Sequence, residues 1–148
     1  MEIRQAELPD FESVHALICE LALYEKAPHE VITTPEILVQ HCLANNPFVF
    51  CWVCVHDHQI LGTAICYIRY STWKGPVLYL EDIVVKESSR RKGVGTALLN
   101  HLIAFAKKRK YERITWQVLD WNQPAIDFYK KFDVNFDESW INVTQQLN

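Results

Sequence analysis

The chain has 148 residues, 49% of them apolar and 22% charged, with a net charge of −3. That is the size of one domain with material for a real core, and its balance leaves no overall basic field to draw nucleic acid. The five cysteines are an odd number, the start is polar rather than leader-like, and no apolar run is long enough to span a bilayer, so a reduced, cytoplasmic protein without membrane or nucleic-acid partners is expected.

The chain opens with a short strand pattern, Ile3 to Ala6. Pro9 fits the first turn of a helix running to about Tyr24, with Phe11, Val14, Leu17, Ile18 and Leu21 as its apolar stripe. Thr34-Pro35 reads as cap and first position of a second helix ending near Leu43. Phe48 to Val55 and Ile60 to Tyr70 form a hairpin pattern around Asp57-His58-Gln59, which leaves His56 and His58 as exposed turn residues. Within it, Cys51 and Cys54 are a C-x-x-C pair, but strand geometry sends residues three apart to opposite faces, so both read as core cysteines. Gly75-Pro76 breaks the pattern before a strand from Leu78 to Val85. A helix follows from Gly93 to about Arg109, with Val94, Ala97, Leu98, Leu102 and Phe105 at helical spacing and a solvated basic end. Ile114 to Leu119 reads as a strand, Asn122 as the cap of a helix with Pro124 in its first turn, and Trp140 to Val143 as a last strand. The order β-α-α-β-β-β-α-β-α-β indicates an α/β domain spanning residues 1–148, a mixed sheet with helices on both faces.

The run from Leu78 to Thr96, LYLEDIVVKESSRRKGVGT, is the most informative. It is a strand, a polar turn, a basic glycine-bearing loop and a helix start. Backbone N–H groups and the helix dipole make such a helix start an anion site, and Arg90, Arg91 and Lys92 add cations. Gly93 and Gly95 allow the backbone a close approach to a pyrophosphate. The acidic pair Glu81-Asp82 sits just upstream. On an ordinary strand these two point to opposite faces, so only one meets a cleft unless the strand bulges.

Arg90-Arg91-Lys92-Gly93-Val94-Gly95 fits R/Q-x-x-G-x-G/A, and with it the chain resembles the GNAT acetyltransferases, which bind acetyl-CoA. YSTWKG (70–75), LYLED (78–82) and DWNQPAIDFYKK (120–131) are similar to the diamine acetyltransferases, which include spermidine/spermine and thialysine enzymes. YSTW and VLDWNQ look closer to the thialysine branch. The resemblance implies a GNAT fold with a mostly antiparallel sheet, acetyl-CoA as co-substrate and no metal. It also implies a homodimer and a small amine acceptor: thialysine or another lysine analogue, a diamine or a polyamine.

By the same resemblance, the backbone of Ile83, Val84 and Val85 pairs with the pantetheine arm, Arg90 through Thr96 (Arg91, Lys92, Gly93, Val94 and Gly95 between them) hold the pyrophosphate, and Asn122, Pro124 and Ala125 flank the cofactor. Tyr129 lies at the thioester sulfur as general acid and Glu81 takes the amine proton through a water. Tyr24, Glu25 and Asp82 touch the acceptor. The chemistry agrees: an alkylamine has a pKa near ~10.4 and arrives protonated, so a carboxylate must relay its proton. A tyrosine hydroxyl can protonate the leaving thiolate. Phe128, Tyr129 and Phe132 also fit simple packing of the last helix, and Trp73 and Trp121 fit either an acceptor pocket or a core or dimer contact. A protein amino-group acceptor and a non-catalytic acetyl-CoA-binding module are the alternatives. Asp133 stands where relatives end this helix with glycine.

Overall fold

In the computed structural model, which describes residues 1–147 of the expected 1–148 domain, the chain divides into two compact units, Met1–Trp116 and Gln117 onward. The first unit is built on five strands in the order β1-β2-β3-β4-β5: Glu2–Gln5, Val49–His56, Gln59–Ser71, Gly75–Val85 and Ile114–Thr115. Neighbours pair antiparallel except β4 and β5, which pair parallel. This is the mixed, mostly antiparallel sheet that the sequence implies.

The connections follow from local chemistry. β2 and β3 turn at Asp57 and His58, both with positive φ (47° and 60°), the geometry that matches strand twist in a two-residue hairpin loop. His56 and His58 are exposed there. β3 and β4 turn at Ser71, whose Oγ accepts from the backbone N–H groups of Trp73 and Lys74, each at 3.2 Å. Gly75 and Pro76 therefore begin β4 instead of breaking the chain before it; Gly75 has φ 75° and pairs with Ser71.

α1 (Phe11–Tyr24) follows a single 3-10 turn, Leu8–Asp10, which contains Pro9. The Asp10 carboxylate closes that turn: it accepts from the Glu7 N–H at 2.7 Å and from both Arg4 guanidinium nitrogens at 2.6 and 3.1 Å. α2 (Pro35–Cys42) is capped by Thr34, as its sequence indicates. α1 and α2 cover one sheet face, where Phe11 and Val14 pack with Cys51, Val53 and Ile65. α3 (Val94–Lys108) covers the other, burying Val94, Leu98, Leu99, Leu102 and Ala106. On that side Trp52 meets His101 at 4.4 Å and Phe105 at 5.5 Å between ring centres. Cys51 lies in the α1-side core, and alternation turns Cys54 the other way. Burial pushes the Cys51 and Cys66 thiols up to about 12, so neither supplies a thiolate.

The second unit holds α4 (Gln123–Tyr129) and, over 134–147, a tail without regular secondary structure. Two strand expectations fail here and just before it. The strand expected over 114–119 is only Ile114–Thr115, and 140–143 is not a strand. Trp140, Ile141 and Val143 are exposed, and Asp137 engages the segment locally, accepting from the Ser139 N–H at 2.9 Å and from Trp140 Nε1 at 3.0 Å. A strand pattern needs a neighbouring strand, and an aspartate that caps its own chain competes with one. At the end of α4, Val134 N–H bonds to Phe132 O at 2.9 Å. Asp133 is not among the residues with positive φ, so the chain leaves the helix without the left-handed turn that a glycine there would favour.

Candidate active site

The centre of the site is an irregularity in β4. Tyr79 pairs with Tyr67 and Leu80 with Cys66, but Ile65 pairs with Asp82. Glu81 is the extra residue of a β-bulge. Two residues on from Tyr79, Glu81 keeps the face of Tyr79; Asp82, opposite Ile65, takes that same face, the one α1 covers. Strict alternation would have separated the two carboxylates. The bulge brings them together.

Glu25, directly after α1, is half-buried and its charge reaches Asp82. Burial raises the Glu25 carboxyl above its usual range. Burial first, then the charges of Glu81 and Glu25, raise Asp82 from 3.8 to about 6. Glu81 itself is exposed. The Tyr24 ring lies beneath the Arg90 guanidinium, 5.8 Å from ring centre to Cζ, and Arg90 Nε donates to Val85 O at 3.4 Å. Tyr24, Glu25, Glu81, Asp82 and Arg90, separated in sequence, are thus gathered where α1 ends over β4.

Past β4 the chain turns through a 3-10 segment, Glu87–Ser89, into the loop that starts α3. Arg91 and Gly93 both take left-handed backbone, φ 60° and 82°. Gly93 is the N-cap of α3 and supplies no side-chain cap; the first carbonyl used in the helix is its own, accepting from Ala97 N–H at 2.9 Å. The N–H groups of the first turn are left for another acceptor, with exposed Arg91 and Lys92 beside them. This donor set fits a pyrophosphate. The edge of β4 fits the rest of such a ligand: its pairing with β5 is confined to Leu78–Ile114 and Tyr79–Thr115, so Ile83, Val84 and Val85 lie beyond the last β5 partner.

In the second unit, Asn122 is buried and its side-chain oxygen accepts from Ala125 N–H at 3.3 Å, capping α4 with Pro124 in the first turn. Tyr129 ends α4, 6% exposed, its ring 5.2 Å from that of Phe128. Trp73 is 86% exposed, which removes it from the core.

Sequence reasoning passed over three residues beside the acids. Tyr67 and Tyr79 face each other across β3 and β4 with ring centres 5.1 Å apart, and the Arg69 guanidinium lies 5.8 Å from the Tyr79 ring centre. Burial and the Glu81 charge hold both phenols above their ordinary range, offset in part by Arg69. In the sequence, ICYIRY reads only as an alternating strand; the signal was that Tyr67 and Arg69 share one face.

The family model described as acetyltransferase (GNAT) family matches residues 4–133, and the chain belongs to that family. It is an N-acetyltransferase, of a family that uses acetyl-CoA. Among curated proteins it is similar to a thialysine N-epsilon-acetyltransferase of Bos taurus, 34% identical over 149 residues, covering 93% of this chain and 88% of that one. Among solved structures it shares its fold with an aminoglycoside acetyltransferase from an uncultured soil metagenomic sample, at a TM-score of 0.80, 20% identity, and coverage of 99% and 96% of the two chains. A further aminoglycoside N-acetyltransferase, solved in complex with CoA, aligns at a TM-score of 0.73 and 19% identity, over 98% and 99% of the two chains.

Proposed function

We propose that this chain moves the acetyl group of acetyl-CoA to a small primary amine, a thialysine-like lysine analogue, a diamine or a polyamine. The observation that carries the reading is the bulge at Glu81, which sets Glu81 and Asp82 on one face beside Glu25. A compact acidic group of this kind suits an alkylammonium ion more than a neutral acceptor.

In this reading Glu25, Asp82 and Tyr24 hold the ammonium end of the acceptor. Glu81 takes its proton through a water, which frees the nitrogen lone pair for direct attack on the thioester carbon. As the C–N bond forms and the C–S bond breaks, Tyr129 gives its phenolic proton to the departing thiolate. A β4 N–H near Val84 holds the oxyanion. Residues 90–96 grip the pyrophosphate, Ile83 to Val85 pair with the pantetheine arm, and Asn122, Pro124 and Ala125 flank it. No cysteine nucleophile is called for. The chain length supports one domain, the cysteine usage a reduced, cytoplasmic setting, and the resemblance to diamine acetyltransferases a homodimer.

The test is steady-state acetyl-CoA turnover with a free-thiol readout on thialysine, lysine, putrescine, spermidine and a basic peptide. Turnover of a small amine is expected, and Tyr129→Phe should lower kcat far more than acetyl-CoA affinity. Turnover of the peptide alone would refute the small-amine acceptor, and an unchanged kcat in Y129F would remove Tyr129 from the chemistry.

A further inference from the structure

The groups placed around the reacting amine are acidic: Glu25, Glu81 and Asp82. Besides Arg90 at the Tyr24 ring, a second cation stands near them, on the sheet face that the acids share. Arg69 lies two residues along β3 from Tyr67, and its guanidinium stacks near the Tyr79 ring at 5.8 Å. Its side chain is exposed, and among the described residues it has no salt-bridge partner. A guanidinium lying over an aromatic ring is held in place while its N–H edge stays open, the presentation that suits two-pronged carboxylate binding. Tyr67 and Tyr79 form the platform between this cation and the bulge.

We infer that Arg69, on the Tyr67–Tyr79 platform, is a specificity-determining residue that holds an anionic group of the acceptor while Glu81 and Asp82 serve its amine. The inference rests on the small-amine reading above and narrows it to amines that carry a carboxylate at the far end. Arg69 stands opposite Val77, but its guanidinium reaches forward to the Tyr79 ring, and from Tyr79 to Glu81 is two residues, about 7 Å along the strand at the usual rise. A lysine-like amino acid, with its carboxylate at one end and its side-chain amine at the other, bridges a gap of that size. A polyamine would bring a second ammonium against Arg69 and be repelled.

Two matched pairs isolate the carboxylate: L-lysine against cadaverine, and L-ornithine against putrescine. Within each pair the molecules differ only by that group. With the unmodified protein, kcat/KM should favour the amino acid by about tenfold or more, mostly through KM, the scale of one charge-assisted contact. Arg69→Gln should raise KM for L-lysine about tenfold and bring each ratio toward one. Arg69→Lys should restore part of the preference. Preference of the unmodified protein for cadaverine and putrescine overturns the inference without any variant, and so does a preference that survives R69Q. In both cases the small-amine reading stands. Turnover of no small amine at all, thialysine and spermidine included, overturns that reading and the inference together.

Discussion

Replacing Gly62 by alanine tests the placement of the cofactor edge with a single methyl group. Gly62 is buried on β3, opposite Val85. A Cβ built there would meet Val84 O at 2.7 Å, Val94 Cγ1 at 3.0 Å and Leu98 Cδ1 at 3.3 Å. The nearest atom is backbone, which cannot swing aside as a side chain can, so β4 and the start of α3 must separate from β3. Overpacking of this kind costs about 1–3 kcal/mol, and a backbone clash belongs near the upper end. For a chain of this size that lowers Tm by roughly 5–9 °C. The elements forced apart carry Val84 and Val94, so acetyl-CoA binding should weaken along with stability. Thermal melting followed by circular dichroism and calorimetric titration with acetyl-CoA measure the two effects. Gly75→Ala is the control: it has φ 75° but nothing within 4 Å of a Cβ, so it should cost only about 1 kcal/mol of backbone strain and leave acetyl-CoA affinity alone. Wild-type Tm and wild-type affinity in G62A would refute the close approach of β3, β4 and α3.

Asp82→Asn should stabilise the fold at neutral pH while weakening acceptor turnover, a trade expected where a charge is kept for function. In the folded protein Asp82 holds its proton up to about pH 6, against 3.8 in the unfolded chain. Its contribution to stability is therefore full below about pH 4 and falls as pH climbs toward 6, a loss on the order of 3 kcal/mol at pH 7. Melting curves of D82N should lie above wild type at pH 7 and converge with it near pH 4; no difference at pH 7 would deny the cost. Asp10 has the opposite sign. The hydrogen bond from Arg4 holds its carboxyl below the usual range, so its contribution is present above that range and fades as pH falls. Asp10→Ala should cost about 2 kcal/mol at pH 7 by urea denaturation, a difference that shrinks at pH 3; an equal loss at both would assign the effect to packing rather than charge.

Much of this protein was legible from local pattern. Apolar spacing gave α1 and α3, because one helical face must leave water whatever it packs against. Thr34 and Asn122 marked helix starts because a side-chain oxygen satisfies a backbone N–H three residues on. The RRKGVG run marked an anion-binding loop feeding a helix, because glycine allows close backbone approach; the left-handed backbone at Arg91 and Gly93 was seen only in the structure. What tertiary structure decided was pairing. Glu81 and Asp82 share a face because β3 lacks a residue to match Glu81, and nothing in LYLED announces that. Arg69 joins the acids only through the register of β3 on β4. The tail from Trp140 to Val143 carries strand residues yet forms no strand, because strand preference is an opportunity for pairing and not a structure in itself. Local sequence sets what a segment can be; which side chains meet is settled by contacts between segments far apart in the chain, and those contacts build the acidic centre of this site.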